Sequence, residues 1–128
     1  MEDRLILSVH AYTPYNLCLN ADPAYSTFDI WKKYEIENFL KPVAQKYNKV
    51  GIPIIVDEMG IVHKNNPEAR YEWAKSFVSI AKKYGMVCCW WDNGSINNGE
   101  KFALFNRNEL KVYPESQRVY EGLMDGLK

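Results

Sequence analysis

Three short apolar runs separated by two helix-spaced stretches constrain this chain more than any other feature. Arg4–Val9 (RLILSV), residues 52–58 (IPIIVDE) and residues 86–91 (MVCCWW) are compact and rich in β-branched or bulky residues, as strands are. Between the first two, Ile30, Trp31, Tyr34, Ile36, Phe39, Leu40, Val43, Ala44 and Tyr47 recur at mostly three- and four-residue steps, which predicts an amphipathic helix bent at Pro42 and closed by Gly51. Pro67 to Gly85 repeats the pattern through Tyr71, Ala74, Phe77, Val78 and Ala81, and a last helix is expected from about Pro114 to Leu127, with Val119, Leu123 and Leu127 on one stripe. Strand and helix therefore alternate three times. Alternation implies parallel strands joined by right-handed crossovers, an α/β fold whose strands all end on one face. The nearly continuous run IPIIVDE is expected to be buried on both faces of its sheet. Three strands leave two sheet edges open, so further strands are expected from an N-terminal portion, from a second copy of the chain, or not at all.

Composition removes several classes of function. The 128 residues suffice for one domain, about half of the ~250 that a closed eight-stranded α/β barrel takes. Sixteen Lys and Arg balance sixteen Asp and Glu, so no net field draws the chain to nucleic acid or to an anionic membrane, and no run of about 20 apolar residues spans a bilayer. The start, MEDRLILSVH, lacks the apolar length of a secretory signal, and Met1 hints at an independent translation start. Cys18, Cys88 and Cys89 are odd in number and without CxxC spacing, which predicts buried, reduced thiols rather than disulfides. His10 and His63 stand in no ligand array, so neither a metal nor an organic cofactor is expected. His63, beside Lys64, and the pairs Lys32-Lys33 and Lys82-Lys83 read as solvated.

The face where the strands end collects His10 and Tyr12, then Asp57 and Glu58, then Trp90, Trp91, Asp92 and Asn93. In parallel α/β folds that face binds ligands. Carboxylates among indole and phenol rings suit sugar chemistry, since ring faces stack on pyranose CH groups and a carboxylate can attack an anomeric carbon. Strand alternation turns Asp57 away from Glu58 and assigns it a structural contact. It likewise sets Trp90 and Trp91 on opposite sides, one under a helix and one at the mouth, with Trp91 the expected sugar platform. Tyr15, Asn16, Asn93, Asn97 and Asn98 can hydrogen-bond glycan hydroxyls or serve turns. Trp31, Tyr34, Trp73 and Phe77, at helical spacing, are expected in the core. The stretch from Asp92 to Pro114 is too long for an idle loop.

HAYTPYN after the first strand, GIPIIVDEMG at the second, EARYEWAKSFVSIAKKYG on the second helix, and WWDNGS with NGEKFALFNRN at the end resemble family 5 glycoside hydrolases, in the endoglucanase branch that acts on β-1,4-glucans. The resemblance runs from about residue 4 to the last helix. It implies a partial TIM (β/α)8 barrel, with residues 1–128 as the C-terminal part of the catalytic domain and three parallel β-α units corresponding to strands six to eight. It further implies a retaining mechanism with Glu58 as nucleophile, His10 and Tyr12 flanking the reacting sugar, and Trp91, or else Trp90, flooring the subsite at the cleavage point. Asn16 and Asn93 are the accompanying binding candidates. Asp57 stands where the family commonly has Gly, a departure expected to alter packing rather than the role of Glu58. The family's acid/base glutamate, on the fourth strand, has no counterpart in this chain. The implied parent protein is extracellular, cleaves cellulose, mixed-linkage glucan, xyloglucan or xylan, and needs no metal or cofactor. The partner of this chain is then the missing N-terminal barrel portion or a second copy; the alternative is a non-catalytic half-barrel that only binds glycan or self-associates.

Overall fold

A computed structural model describes residues 4–128; the Met1 reading lies outside the described residues. Strand β1 (Leu7–Ala11) leads through a short helix α1 (Tyr15–Cys18) to α2 (Ile30–Tyr47), then β2 (Ile54–Met59), α3 (Pro67–Lys83), β3 (Met86–Trp90), a two-stranded hairpin of β4 (Phe105–Asn106) and β5 (Lys111–Val112), and α4 (Gln117–Gly126). The order β1-β2-β3 is wholly parallel, as the alternation predicts.

β1 runs later than the apolar run suggests, because pairing begins at Leu7 opposite Ile54 and continues through His10 and Ala11. Helix α2 starts where the Asp29 carboxylate accepts the Lys32 amide N–H at 3.0 Å. It continues through Pro42 and ends in a 3₁₀ turn, with Gly51 at φ 71°, a left-handed closure that glycine adopts freely. The last helix begins at Gln117, after a 3₁₀ turn at Pro114–Ser116, rather than at Pro114.

One face of the sheet carries the core. Ile54 and Val56 of β2 meet Ile36, Leu40 and Ala44 of α2 and Trp73, Phe77, Ile80 and Ala81 of α3 in a single buried cluster. The opposite face is open: Ser8, His10, Val87 and Cys89 are exposed and Ile55 is half-buried, so β2 is not covered on both faces as its composition predicts. The same geometry corrects the cysteine reading at Cys89, which is exposed on β3; Cys18 is buried, and burial pushes the half-buried Cys88 thiol up to about 12. Trp31 and Tyr34 are a second correction. Trp31 is 73% exposed and Tyr34 49%, their rings 6.0 Å apart on the outer side of α2, whereas Trp73 and Phe77 are fully buried. Among the described residues no helix is long and apolar enough to cross a membrane.

Helices α3 and α4 pack closely because Gly122 lies on the backbone of α3: a Cβ there would stand 2.4 Å from the Tyr71 carbonyl oxygen.

Candidate active site at the C-terminal ends of the strands

Parallel pairing brings the ends of all three strands to one rim, and a register shift shapes it. Val9 pairs with Val56 but His10 pairs with Glu58, leaving Asp57 as an extra residue on β2. The bulge overrides simple alternation. Asp57 and Glu58 both reach the His10 ring, Asp57 Oδ1 standing 3.6 Å from Nε2 and Glu58 Oε2 3.5 Å from Nδ1, so the expectation that Asp57 turns away is corrected.

Tyr12 closes the other side of Glu58. Its hydroxyl donates to Glu58 Oε2 at 3.0 Å, and burial, reinforced by the carboxylate, pushes the phenol well above its usual range. Tyr12 therefore remains a hydrogen-bond donor across ordinary pH. Among the described residues Glu58 Oε1 takes no hydrogen bond, and the side chain is 26% exposed, so one oxygen is fixed and the other is open to the rim. The Tyr12 ring leans on buried Phe102 at 5.8 Å between centroids. Gly60 makes that contact possible, since a Cβ there would lie 2.9 Å from the Phe102 ring.

The tandem tryptophans separate. Trp90 turns to the helix layer, its ring edge-on to Trp73 at 6.3 Å and its Nε1 donating to the Phe102 carbonyl at 2.9 Å. Trp91 is 40% exposed beyond the strand end, its amide anchored on the Met59 carbonyl at 2.9 Å. Of the two, Trp91 alone presents an open side chain at the rim. Asn93 is engaged within its own loop, donating to the Glu100 carbonyl at 2.7 Å and accepting the Ser95 amide at 3.0 Å. Asn16 is exposed on α1. Asp92 organises the loop that follows β3, accepting the amides of Gly94 at 2.9 Å and Phe105 at 3.1 Å.

His63, which the sequence reads as solvated, and its neighbour Lys64 both prove structural. Lys64 Nζ donates to the carbonyls of Leu17, Asn20 and Tyr25 at 2.8–2.9 Å, tying the loop after β2 to the segment after β1. An ammonium with three backbone acceptors has no sequence signature, because the carbonyls belong to no particular residue type. His63 is half-buried against the fully buried Arg70, whose Nη1 lies 3.2 Å from His63 Nδ1 and also donates to the Glu115 carbonyl at 2.9 Å. Arginine only donates, so Nδ1 is the acceptor and the imidazole is neutral. Burial, then the neighbouring guanidinium, lowers the His63 pKa. The unfolded chain thus takes up this proton at higher pH than the folded one, and the associated stability, complete above the ordinary value of about 6.5, is lost as pH falls from there through the lowered folded value. Thermal melts between pH 7 and 5 should show a falling Tm whose slope is shallower in His63→Gln; equal slopes would contradict this account.

The comparisons agree with one another. The model of the cellulase family, glycosyl hydrolase family 5, matches residues 1–97. The chain is 36% identical to endoglucanase B of Neocallimastix patriciarum, over 98% of this chain and 26% of that protein, and 38% identical to endoglucanase 1 of Ruminococcus albus, over 87% and 27%. Among solved structures it superposes on a GH5-4 broad-specificity endoglucanase from Clostridium cellulovorans with a TM-score of 0.89 and 34% identity, covering 96% of this chain and 36% of that one. A lichenase variant from Caldicellulosiruptor sp. F32, solved in complex with cellotetraose, gives a TM-score of 0.89 and 34% identity, over 100% of this chain and 36% of that one. These structures are TIM barrels, and the chain spans about a third of their length.

Proposed function

Since the chain belongs to glycosyl hydrolase family 5, the cellulases, we propose that it is the nucleophile-bearing, C-terminal part of a retaining endo-β-1,4-glycanase barrel, acting on plant β-glucans once the remaining strands are supplied. The observation that carries this reading is Glu58 at the end of β2, with one carboxylate oxygen fixed by Tyr12 at 3.0 Å and the other unbonded among the described residues. That arrangement suits nucleophilic attack, since the held oxygen sets the rotamer while the free one points its lone pairs at the rim.

In this mechanism Glu58 attacks the anomeric carbon, displacing the aglycone oxygen and forming a glycosyl ester that water then hydrolyses. Retention needs a second carboxyl group about 5 Å away to protonate the leaving oxygen and later deprotonate the water. Asp57 is engaged with Ser8 and His10, so the acid/base is assigned to a segment outside this chain. Trp91 offers its ring to the sugar, and His10 lines the same subsite. The parent protein, in this reading, is secreted, as a polymeric glucan requires.

Strand arithmetic favours a complementary segment over self-association. Head-to-tail joining of three-stranded units gives six or nine strands, whereas the barrels on which this chain superposes have eight. The open edges of β1 and β3 and the bare face between them are therefore matched by a five-stranded remainder. Mixing the chain with the five N-terminal β-α units of a related endoglucanase should release reducing sugar from carboxymethyl-cellulose or xyloglucan, while neither part alone does so. Activity of the chain alone, sedimenting as a dimer, would instead support recruitment of a second copy.

A further inference from the structure

We infer that Asp57 is a positioning residue for Glu58, acting through the imidazole of His10; the inference rests on the reading of Glu58 as the nucleophile. Three observations support it. The bulge at Val9/His10 places Asp57 on the same side of the strand as Glu58, so two consecutive carboxylates address one ring. Ser8 Oγ donates to Asp57 Oδ2 at 2.7 Å and fixes the carboxylate from the neighbouring strand. Asp57 Oδ1, in turn, is buried and without a hydrogen bond, and faces His10 Nε2 at 3.6 Å.

A buried carboxylate oxygen lacking a donor is costly, and the group facing it here is a ring N–H. At 3.6 Å the contact is too long for a hydrogen bond, but His10 is 57% exposed and a small ring rotation closes it. Oδ1 therefore selects the ring state in which Nε2 carries a proton and sets the ring plane. That plane directs Nδ1 at Glu58 Oε2; both carboxylates only accept, so the ring that satisfies them donates from both nitrogens, and the nucleophile is then held from two sides, by Nδ1–H and by the Tyr12 hydroxyl. Ser8, Asp57, His10 and Glu58 thus form one polar chain from β1 to the held oxygen of the nucleophile, Oε2, leaving Oε1 free. Asp57 touches no sugar in this account; it fixes the geometry of a group that does.

The first test uses this chain alone and needs no turnover. With only two histidines, long-range ¹H–¹⁵N spectra resolve both rings, and His63→Gln assigns them. His10 should show a protonated Nε2 with nitrogen shifts distinct from a freely exchanging imidazole. Asp57→Ala should collapse them toward the averaged values, Asp57→Asn, whose amide oxygen still accepts, should preserve them, and Ser8→Ala should move them part of the way. In the complemented barrel Asp57→Ala should lower kcat roughly tenfold with KM within about twofold, the split expected of a misaligned nucleophile, and Asp57→Asn should recover most of it. His10 signals indifferent to Asp57→Ala, or an unchanged kcat, would overturn the inference. A complemented barrel that stays inactive with Asp57 intact, or whose activity ignores Glu58→Gln, would instead overturn the proposed function, and the ring spectra would still decide whether Asp57 holds His10.

Discussion

Glu58→Gln in the complemented barrel should lower kcat on the order of 10⁴-fold with little change in fold or in glycan affinity. The amide oxygen still accepts the Tyr12 hydroxyl that Oε2 accepts at 3.0 Å, so the local structure has no reason to change. What disappears is the anionic oxygen that forms the glycosyl ester. Tyr12→Phe isolates the orienting contribution: it leaves the carboxylate in place, removes the one side-chain hydrogen bond that Glu58 accepts among the described residues, and should cost far less than Glu58→Gln. Equal losses would mean that Glu58 serves only to anchor the tyrosine. Reducing-sugar assays on the two variants, with binding followed separately, distinguish these outcomes.

The second large effect is on stability. Trp73→Ala should destabilise the chain by about 3–5 kcal/mol, a large part of the ~5–15 kcal/mol that a domain has to lose. The indole is fully buried, packs 5.0 Å from Phe77 and 6.3 Å from Trp90, and donates from Nε1 to the Thr13 carbonyl at 2.9 Å. Removing it opens a cavity beneath the rim and leaves the half-buried Thr13 carbonyl, in the segment that carries Tyr12, without its donor. Trp31→Ala, the same substitution at a residue 73% exposed, should change stability by less than about 0.5 kcal/mol. Chemical denaturation of both variants gives the comparison, and similar losses at the two sites would refute the assignment of Trp73 to the core.

Those two tryptophans also mark how far the sequence could be read. Both lie at helical spacing among apolar neighbours, and periodicity alone assigns both to a core. The buried stripe of α2 is Ile36, Leu40 and Ala44, and at about 100° per residue Trp31 lies roughly 140° round the helix from Ile36. A stripe broad enough to include every apolar residue is thus wider than the face that the sheet covers. The three strands, their parallel order and the rim they share were legible because β-branched runs and helix periods are local patterns. The bulge was not legible, because it arises from pairing between β1 and β2 and leaves no mark in either strand. Its consequence, Asp57 beside Glu58, inverts what alternation implies. The β4–β5 hairpin went unread for a simpler reason: strands of two residues carry no periodicity. Lys64 and His63 were missed because their partners are backbone carbonyls and an arginine seven residues onward.

The central claim is that Glu58 forms a covalent bond with the sugar, and trapping that bond tests it most directly. A 2-deoxy-2-fluoro-cellobioside with a good leaving group slows the departure of the glycosyl ester, so the complemented barrel should accumulate one added sugar mass on the peptide containing Glu58. Fragmentation should place the label on Glu58 and not on the adjacent Asp57. A label on Asp57, or turnover of β-glucan by a complemented barrel that never acquires a label on this chain, would contradict the account.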